Sequence, residues 1–168
     1  MKTTTKTKVK TINKAAFDKM SVYKKRVAIA KDVLLQLELA KFVPQRGQYV
    51  TIKRKGKNAL RPLRTDAAKP LIAEENSKCY VCAKGAIMCS YVRNFNNAVY
   101  DELKSGEMDE TNDIFGWDIL AKLEDEFEGF MDGSKKVPLK TLMENIIDNK
   151  GVYVDKEGNV YGDGIGAY

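Results

Sequence analysis

The segment 138–150 constrains the fold most strongly, because its apolar residues recur at the spacing of an α-helix. They are Leu139, Leu142, Met143, Ile146 and Ile147, and residues three or four positions apart lie on one side of a helix. Pro138 suits the first helical turn and Gly151 suits the helix end. The pattern predicts an amphipathic helix whose apolar side packs against the rest of the chain.

A second, longer helix is predicted to follow Ser21. This residue is a suitable N-cap, and the chain after it is rich in helix-forming residues. From Val27 to Val43 the segment is apolar on nearly all sides, which is typical of a central helix. Pro44 and Gly47 are expected to stop it.

Three further helices are predicted between the helix that follows Ser21 and the one at 138–150. One begins near Ser77 or Cys79 and ends near Phe95, and a short helix after it ends at Gly106. The third lies in an acidic segment where the apolar residues again have helical spacing. They are Ile119, Leu120, Leu123, Phe127 and Phe130.

Two segments have strand-like patterns. In "QYVTIK", β-branched and aromatic residues precede the turn-forming "KGKN", and we interpret 48–64 as a basic hairpin or strand pair. Near the C terminus, "GVYVDKEGNVYG" places two short apolar runs around a Gly/Asn turn. This pattern predicts a second hairpin, whose strands are candidates to join the strand at 48–54.

These elements predict the fold class. A chain of 168 residues has an ordinary single-domain size, and its helices and strands do not alternate regularly. We therefore predict α+β: a mainly helical single domain with about four to five helices and a small antiparallel sheet or hairpins. A flexible basic arm is expected over 1–20, the globular domain over 21–161 and a loose tail over 162–168.

The sequence predicts neither a membrane span nor a disulfide framework. No window approaches the run of about 18 apolar residues that a spanning helix needs. The cationic start, "MKTTTKTKVK", lacks the apolar segment and cleavage site of a secretory signal. Three cysteines, an odd number, are clustered closely, which favours reduced thiols in a cytoplasm.

The charges are distributed unevenly along the chain. The formal net charge is +6, but residues 1–64 carry 18 Lys and Arg against 3 Asp and Glu, whereas residues 65–168 carry 11 against 20. The two parts therefore carry +15 and −9. Charges grouped in this way usually face a partner or solvent.

The positive charge is densest around the predicted 48–64 hairpin. Tyr49 is the only aromatic residue near enough to stack on a base, which favours phosphate contacts over base reading. The sequence contains no helix-turn-helix, RNA-recognition or zinc-finger pattern, so it does not predict sequence-specific recognition. A solvated charged surface is the competing interpretation. The candidate polyanion-binding residues are Lys53, Arg54, Lys55, Lys57, Arg61 and Arg64.

The acidic segment 101–132 offers an alternative working surface. It holds twelve carboxylates and only Lys104 and Lys122 against them. A surface of this kind would contact a partner protein rather than a phosphate backbone. Its candidate residues are Asp109, Glu110, Asp113 and Trp117.

All three cysteines lie in "CYVCAKGAIMCSYV", and three interpretations are open. A zinc site needs four ligands close together, whereas Cys82 and Cys89 would lie roughly 10.5 Å apart along one continuous helix. A redox pair of Cys79 and Cys82 at a helix start is sterically allowed. The favoured interpretation is a buried stripe of small residues, Cys82, Ala86 and Cys89. We therefore predict no metal site and no cofactor.

The sequence has no pattern typical of a catalytic site, so we predict that the protein is not an enzyme. It contains no histidine, the usual general base near neutral pH. It has no phosphate-binding loop and no nucleophile elbow. "DETNDIFGWDIL" and "DKEGNVYGDGIG" lack the loop glycine and the final glutamate of a calcium loop.

Three stretches of the sequence carry a resemblance to a known group. "CYVCAKGAIMCSYVRNFNN", "LAKLEDEFEG" and "LMENIIDNKGVYV" resemble an uncharacterised family of small proteins encoded by bacteriophages and bacteria. The likeness covers residues 25–154 approximately, and its motifs are structural. It implies a phage setting, with the protein in the host cytoplasm or in the virion, and it supplies no catalytic residue.

Two functional hypotheses follow. The leading one is a non-catalytic accessory protein that binds a polyanionic partner, either nucleic acid or an acidic protein surface, through the basic N-terminal half. The alternative is a protein-binding module that inhibits a host defence system or forms part of the virion.

Overall fold

The computed structural model describes residues 11–54, 72, 77–95, 106, 108–129 and 135–164. Within them the chain forms five helices, a three-stranded sheet and a two-stranded sheet. The predicted α+β, single-domain fold is confirmed. The larger sheet is mixed, however, since it contains one parallel and one antiparallel pair of strands.

The elements alternate irregularly along the chain. The helices are α1 (Lys14–Asp18), α2 (Val22–Glu38), α3 (Ala83–Asn94), α4 (Asp109–Glu128) and α5 (Leu139–Asp148). The strands are β1 (Phe42–Pro44), β2 (Val50–Arg54), β3 (Ser77–Val81), β4 (Tyr153–Val154) and β5 (Val160–Tyr161). The larger sheet has the order β1-β3-β2, and β4 pairs with β5 as a hairpin.

Helix α3 is the centre of the core, because every one of its residues is buried. Helices α2 and α4 and the strands β2 and β3 pack around it, and α5 packs on α2. The contact with the segment before β2 is very close: a Cβ added at Gly85 would lie 1.7 Å from the carbonyl oxygen of Tyr49. Glycine is therefore required at this position of the first turn of α3.

A buried polar network joins α2 to α3. Arg93 forms an ion pair with Asp32. The same carboxylate accepts hydrogen bonds from Ser90 Oγ at 2.7 Å and from Asn94 Nδ2 at 3.2 Å. A buried charge is tolerated when it is paired and hydrogen-bonded, and the network therefore accounts for Ser90, Arg93 and Asn94 in this mostly apolar helix.

The prediction for α2 is confirmed at its start and wrong at its end. Ser21 is the N-cap, and its side chain accepts a hydrogen bond from the backbone N–H of Lys24. The helix ends at Glu38 rather than Val43, because Ala40 adopts a left-handed conformation with φ 53°. The N–H of Lys41 then bonds back to the carbonyl of Gln36 at 2.9 Å, an arrangement typical of a helix end.

The prediction that a helix begins at Ser77 or Cys79 is also wrong. Residues 77–81 form β3, the middle strand of the larger sheet. Cys82 is the N-cap of α3, and its Sγ accepts from the N–H of Gly85 at 3.4 Å. Strand β2 pairs with β3, and residues 55–64, the second half of the predicted 48–64 hairpin, lie outside the described part of the chain.

The C-terminal predictions are largely confirmed. Helix α5 occupies most of 138–150; four residues of its apolar stripe are buried in the core, and Ile147 is partly buried and packs against it. The hairpin after Gly151 is present. Its strands pair only with each other in the described residues, so the expectation that they would join the strand at 48–54 is wrong.

Both predicted tails contribute residues to the fold. Helix α1 lies within the stretch 1–20 assigned to the basic arm, and its Phe17 is buried with its ring 4.3 Å from that of Phe95. Gly162, assigned to the tail, is buried and bonded to Arg26. Residues 1–10, 165–168 and most of the predicted short helix before Gly106 lie outside the described residues.

Candidate functional site

The predicted polyanion-binding residues are only partly described by the structure. Lys53 lies on β2, and its side chain is exposed. Arg54 is the last residue of β2, and only its backbone is described. The other four predicted residues, Lys55, Lys57, Arg61 and Arg64, lie outside the described residues. The described part of the site is therefore built on the sheet.

The alternation of buried and exposed side chains along β2 and β3 shows which residues lie on the outer face of the larger sheet. In β3 the side chains of Ser77, Cys79 and Val81 are buried, whereas Lys78 is exposed and Tyr80 is partly exposed. In β2, Lys53 is directly opposite Lys78 in the antiparallel register. Because directly opposed residues share a face of the sheet, the two lysines stand side by side on the outer face.

Tyr80 lies beside this pair of lysines. The Nζ of Lys53 is 4.6 Å from the centroid of the Tyr80 ring, which is within the range of a cation–π contact. We refer to Lys53, Lys78 and Tyr80 as the sheet-face site.

The charged residues on the strands of the larger sheet are all basic. The strands β1, β2 and β3 contain no Asp or Glu. Directly opposed like charges destabilise an antiparallel pair of strands, so the position of Lys53 against Lys78 has a cost to the free protein. An anion bound between the two ammonium groups would remove that cost.

Part of the positive charge of residues 1–64 is used inside the fold. Arg26 is buried and donates to three backbone carbonyls. Arg46 donates from Nε to the carbonyl of Phe127 at 2.7 Å, and its guanidinium lies over the ring of the same residue. The charge count along the sequence therefore overestimates the positive charge that a partner can reach. The count also does not identify which face of the protein carries the accessible charge.

The residues predicted for the alternative, acidic partner surface all lie on α4. Asp109, Glu110 and Asp113 are exposed, and the first two occupy the first helical turn. Carboxylates there interact favourably with the helix dipole, so Asp109 and Glu110 also stabilise the helix itself. Trp117 is different, because 72% of its surface is exposed.

The three cysteines are all buried, as predicted for Cys82 and Cys89. Burial raises the pKa of Cys82 to about 12, and burial together with the neighbouring Cys79 raises the pKa of Cys89. A thiol with a raised pKa is a poor nucleophile and a poor metal ligand near neutral pH. Their environment is therefore that of core residues.

A polar cluster that the sequence analysis missed lies between α4 and the C-terminal hairpin. It borders a cleft of about 640 Å³. Lys122 contacts Glu126 at 3.3 Å and Asp155 at 3.5 Å, and Tyr153 Oη donates to Glu126 at 2.7 Å. The periodicity of α4 placed Lys122 and Glu126 on one face, but nothing local indicated that Asp155 would lie opposite them.

The chemistry of this cluster favours a structural role. Burial lowers the pKa of Lys122, but the hydrogen bond and charge of Glu126 raise it overall. Burial and the hydrogen bond to Glu126 raise the pKa of Tyr153. Asp155 has a lowered pKa, because hydrogen bonds from Asn159 and Tyr161 outweigh its desolvation. All three pKa values move away from neutrality, whereas general acid–base catalysis needs values near the working pH.

In the described residues, no group of three or more Cys, Asp or Glu side chains has the geometry to hold a metal ion. No described helix is long and apolar enough to cross a membrane.

No family model, curated protein or solved structure matches the chain. The resemblance to small phage and bacterial proteins therefore stays a prediction.

Proposed function

We propose that the protein binds a polyanion, in the first place nucleic acid, on the outer face of its three-stranded sheet. The observation that carries the proposal is the direct opposition of Lys53 and Lys78 on neighbouring strands. Two adjacent ammonium groups without a carboxylate on these strands form a local positive potential, and phosphate oxygens are the common ligands for such a surface.

The contacts are expected to be to the phosphate backbone rather than to the bases. Tyr80 is only partly exposed, and Lys53 already lies over its ring. Base stacking at Tyr80 would have to displace the lysine, whereas a phosphate can bind to Lys53 without that rearrangement. We therefore expect binding with little sequence preference.

The wider role remains the one that the sequence predicts: a non-catalytic accessory protein of phage type, acting in the host cytoplasm. The raised thiol pKa values and the fixed charges of the Lys122 cluster support a non-catalytic role for these two groups of described residues. Residues 55–64, which follow β2 directly, carry four of the predicted binding residues and extend the positive charge from the sheet-face site along the chain.

Fluorescence anisotropy with labelled single-stranded and duplex oligonucleotides tests the proposal. The charge reversal Lys53→Glu/Lys78→Glu is expected to weaken binding to all sequences alike, because phosphate contacts carry no sequence information. Lys31→Glu is the charge-matched control for the single reversal Lys53→Glu, since Lys31 is exposed on α2 and belongs to the same basic half of the chain.

Two results would contradict the proposal. Equal losses for the Lys31 control and for a single reversal at Lys53 would mean that overall charge, not the sheet face, governs binding. Failure of the unmodified protein to bind either oligonucleotide, together with capture of an acidic protein through Lys53, would identify the partner as a protein surface instead.

A further inference from the structure

Trp117 is a large apolar side chain that the fold leaves uncovered. It is the only tryptophan in the chain, and 72% of its surface is exposed. Tryptophan buries much apolar surface when it is covered and is enriched among the residues that dominate protein interfaces. Its exposure on α4 therefore needs a reason beyond packing.

The backbone around Trp117 departs from a regular helix. Gly116 has φ 76° and ψ 152°, so α4 consists of two helical segments joined at this residue. A Cβ at position 116 would lie 2.7 Å from Asp118 Oδ1, and its positive φ would strain any other residue. The break changes the direction in which Trp117 leaves the helix.

The inner side of the indole is held by a buried cation. Lys84 is 5% exposed, and its Nζ lies 5.4 Å from the Trp117 ring and 5.6 Å from the Tyr49 ring. The contact favours one orientation of an otherwise exposed side chain. A side chain fixed before binding loses less conformational entropy when a partner covers it.

The exposed residues of α4 that precede Trp117 indicate the charge of that partner. Asp109 and Asp113 lie one helical turn apart, eight and four residues before Trp117, in the segment that ends at Gly116. Positively charged groups complement this surface, whereas phosphate groups would be repelled by it. The long Lys and Arg side chains combine an apolar stem, which can cover an indole, with a cationic head that can reach a carboxylate.

We propose that Trp117, Asp109 and Asp113 form a docking surface for a Lys/Arg-rich segment of a partner protein. The aliphatic stems pack on the exposed side of Trp117, and the cationic heads pair with the two aspartates. This surface shares no residue with the sheet-face site and has the opposite charge. The protein would therefore bind a polyanion on β2 and β3 and a basic protein segment on α4.

The single tryptophan makes the proposal directly measurable in the intact protein. Titration with a synthetic oligoarginine peptide is expected to shift the Trp117 fluorescence, whereas an oligoglutamine peptide of the same length leaves it unchanged. With a dye-labelled oligoarginine peptide, Asp109→Asn/Asp113→Asn should lower affinity about three- to tenfold, since each exposed ion pair contributes modestly. Trp117→Ala should lower it by a similar factor.

The matched control is Asp148→Asn/Glu157→Gln, which removes the same charge from exposed positions on α5 and in the C-terminal hairpin. Affinity for oligoarginine should be nearly unchanged in this variant. Equal weakening by both double variants would overturn the proposal, because the attraction would then be diffuse. A Trp117 fluorescence shift with a single-stranded oligonucleotide but not with oligoarginine would overturn it as well.

Discussion

The guanidinium of Arg26 donates a hydrogen bond of 2.8 Å to the backbone carbonyl of Gly162, which lies 136 residues further along the chain. The same side chain donates to Gly151 at 3.0 Å and, through Nε, to Ile114 at 2.7 Å. One buried arginine of α2 thus joins α4, the end of α5 and the residue after β5. Its positive charge serves the fold rather than a partner.

We predict that Arg26→Met strongly destabilises the protein. The substitution leaves three buried carbonyl oxygens without this donor, and each unsatisfied group costs about 1–3 kcal/mol. Urea denaturation should show a loss of about 3 kcal/mol or more in the free energy of unfolding. Lys24→Met, at an exposed position of the same helix, should stay within about 0.5 kcal/mol; similar values for the two would contradict this account of Arg26.

Gly85→Ala should be equally damaging for a steric reason. The new Cβ would meet the carbonyl oxygen of Tyr49 at 1.7 Å, so α3 and the segment before β2 must separate. We expect a loss of about 3 kcal/mol or more on thermal or urea unfolding. At Gly164 the same substitution meets nothing within 4 Å and should be close to neutral. Normal stability of Gly85→Ala would show that the two segments do not pack this closely.

The sequence predicted the structure best where the signal lies within a single helix, strand pair or turn. The N-cap at Ser21, the stripe of α5 and the Gly/Asn turn of the C-terminal hairpin are all local signals, and the structure contains each of them. Local capping and periodicity are sufficient to place such elements.

Prediction was less successful where distant parts of the chain decide the structure. Cys79 and Cys82 are three residues apart, which fits a helical stripe, yet residues 77–81 also alternate as a strand. Residues 77–81 form a strand rather than a helix because they pair with β1 on one side and with β2 on the other. The sequence of this segment alone does not indicate those partners. Lys78 was missed as a site residue for this reason, because only the β2–β3 register places it opposite Lys53.

The buried thiols should not react in the folded protein. With the pKa of Cys82 raised to about 12 by burial, almost none of this thiol is ionised at about pH 8. Addition of a thiol-specific reagent should therefore give slow modification that becomes fast and complete in denaturant. Rapid reaction of Cys82 in the native protein, or stoichiometric zinc that is lost when Cys82 is replaced, would restore the redox or metal interpretation.

Asp155 should contribute to stability in a pH-dependent way. Its pKa is lower in the folded protein than the ordinary value of 3.8, so its contribution is complete well above that value and is lost as the pH falls toward the folded pKa. The difference in unfolding free energy between the unmodified protein and Asp155→Asn should thus be constant near neutrality and shrink below about pH 4. A difference that stays constant into strong acid would contradict the lowered pKa.

The central claim is that Lys53 and Lys78 bind phosphate groups on the outer face of the sheet. Its most direct test is the salt dependence of single-stranded oligonucleotide binding by the unmodified protein and by Lys53→Gln/Lys78→Gln. Each phosphate contact on a single strand contributes about 0.7 to the slope of log affinity against log salt concentration. The account predicts a slope that is shallower by about 1.4 in the double variant, with no change for Lys31→Gln; identical slopes for the unmodified protein and the double variant would contradict it.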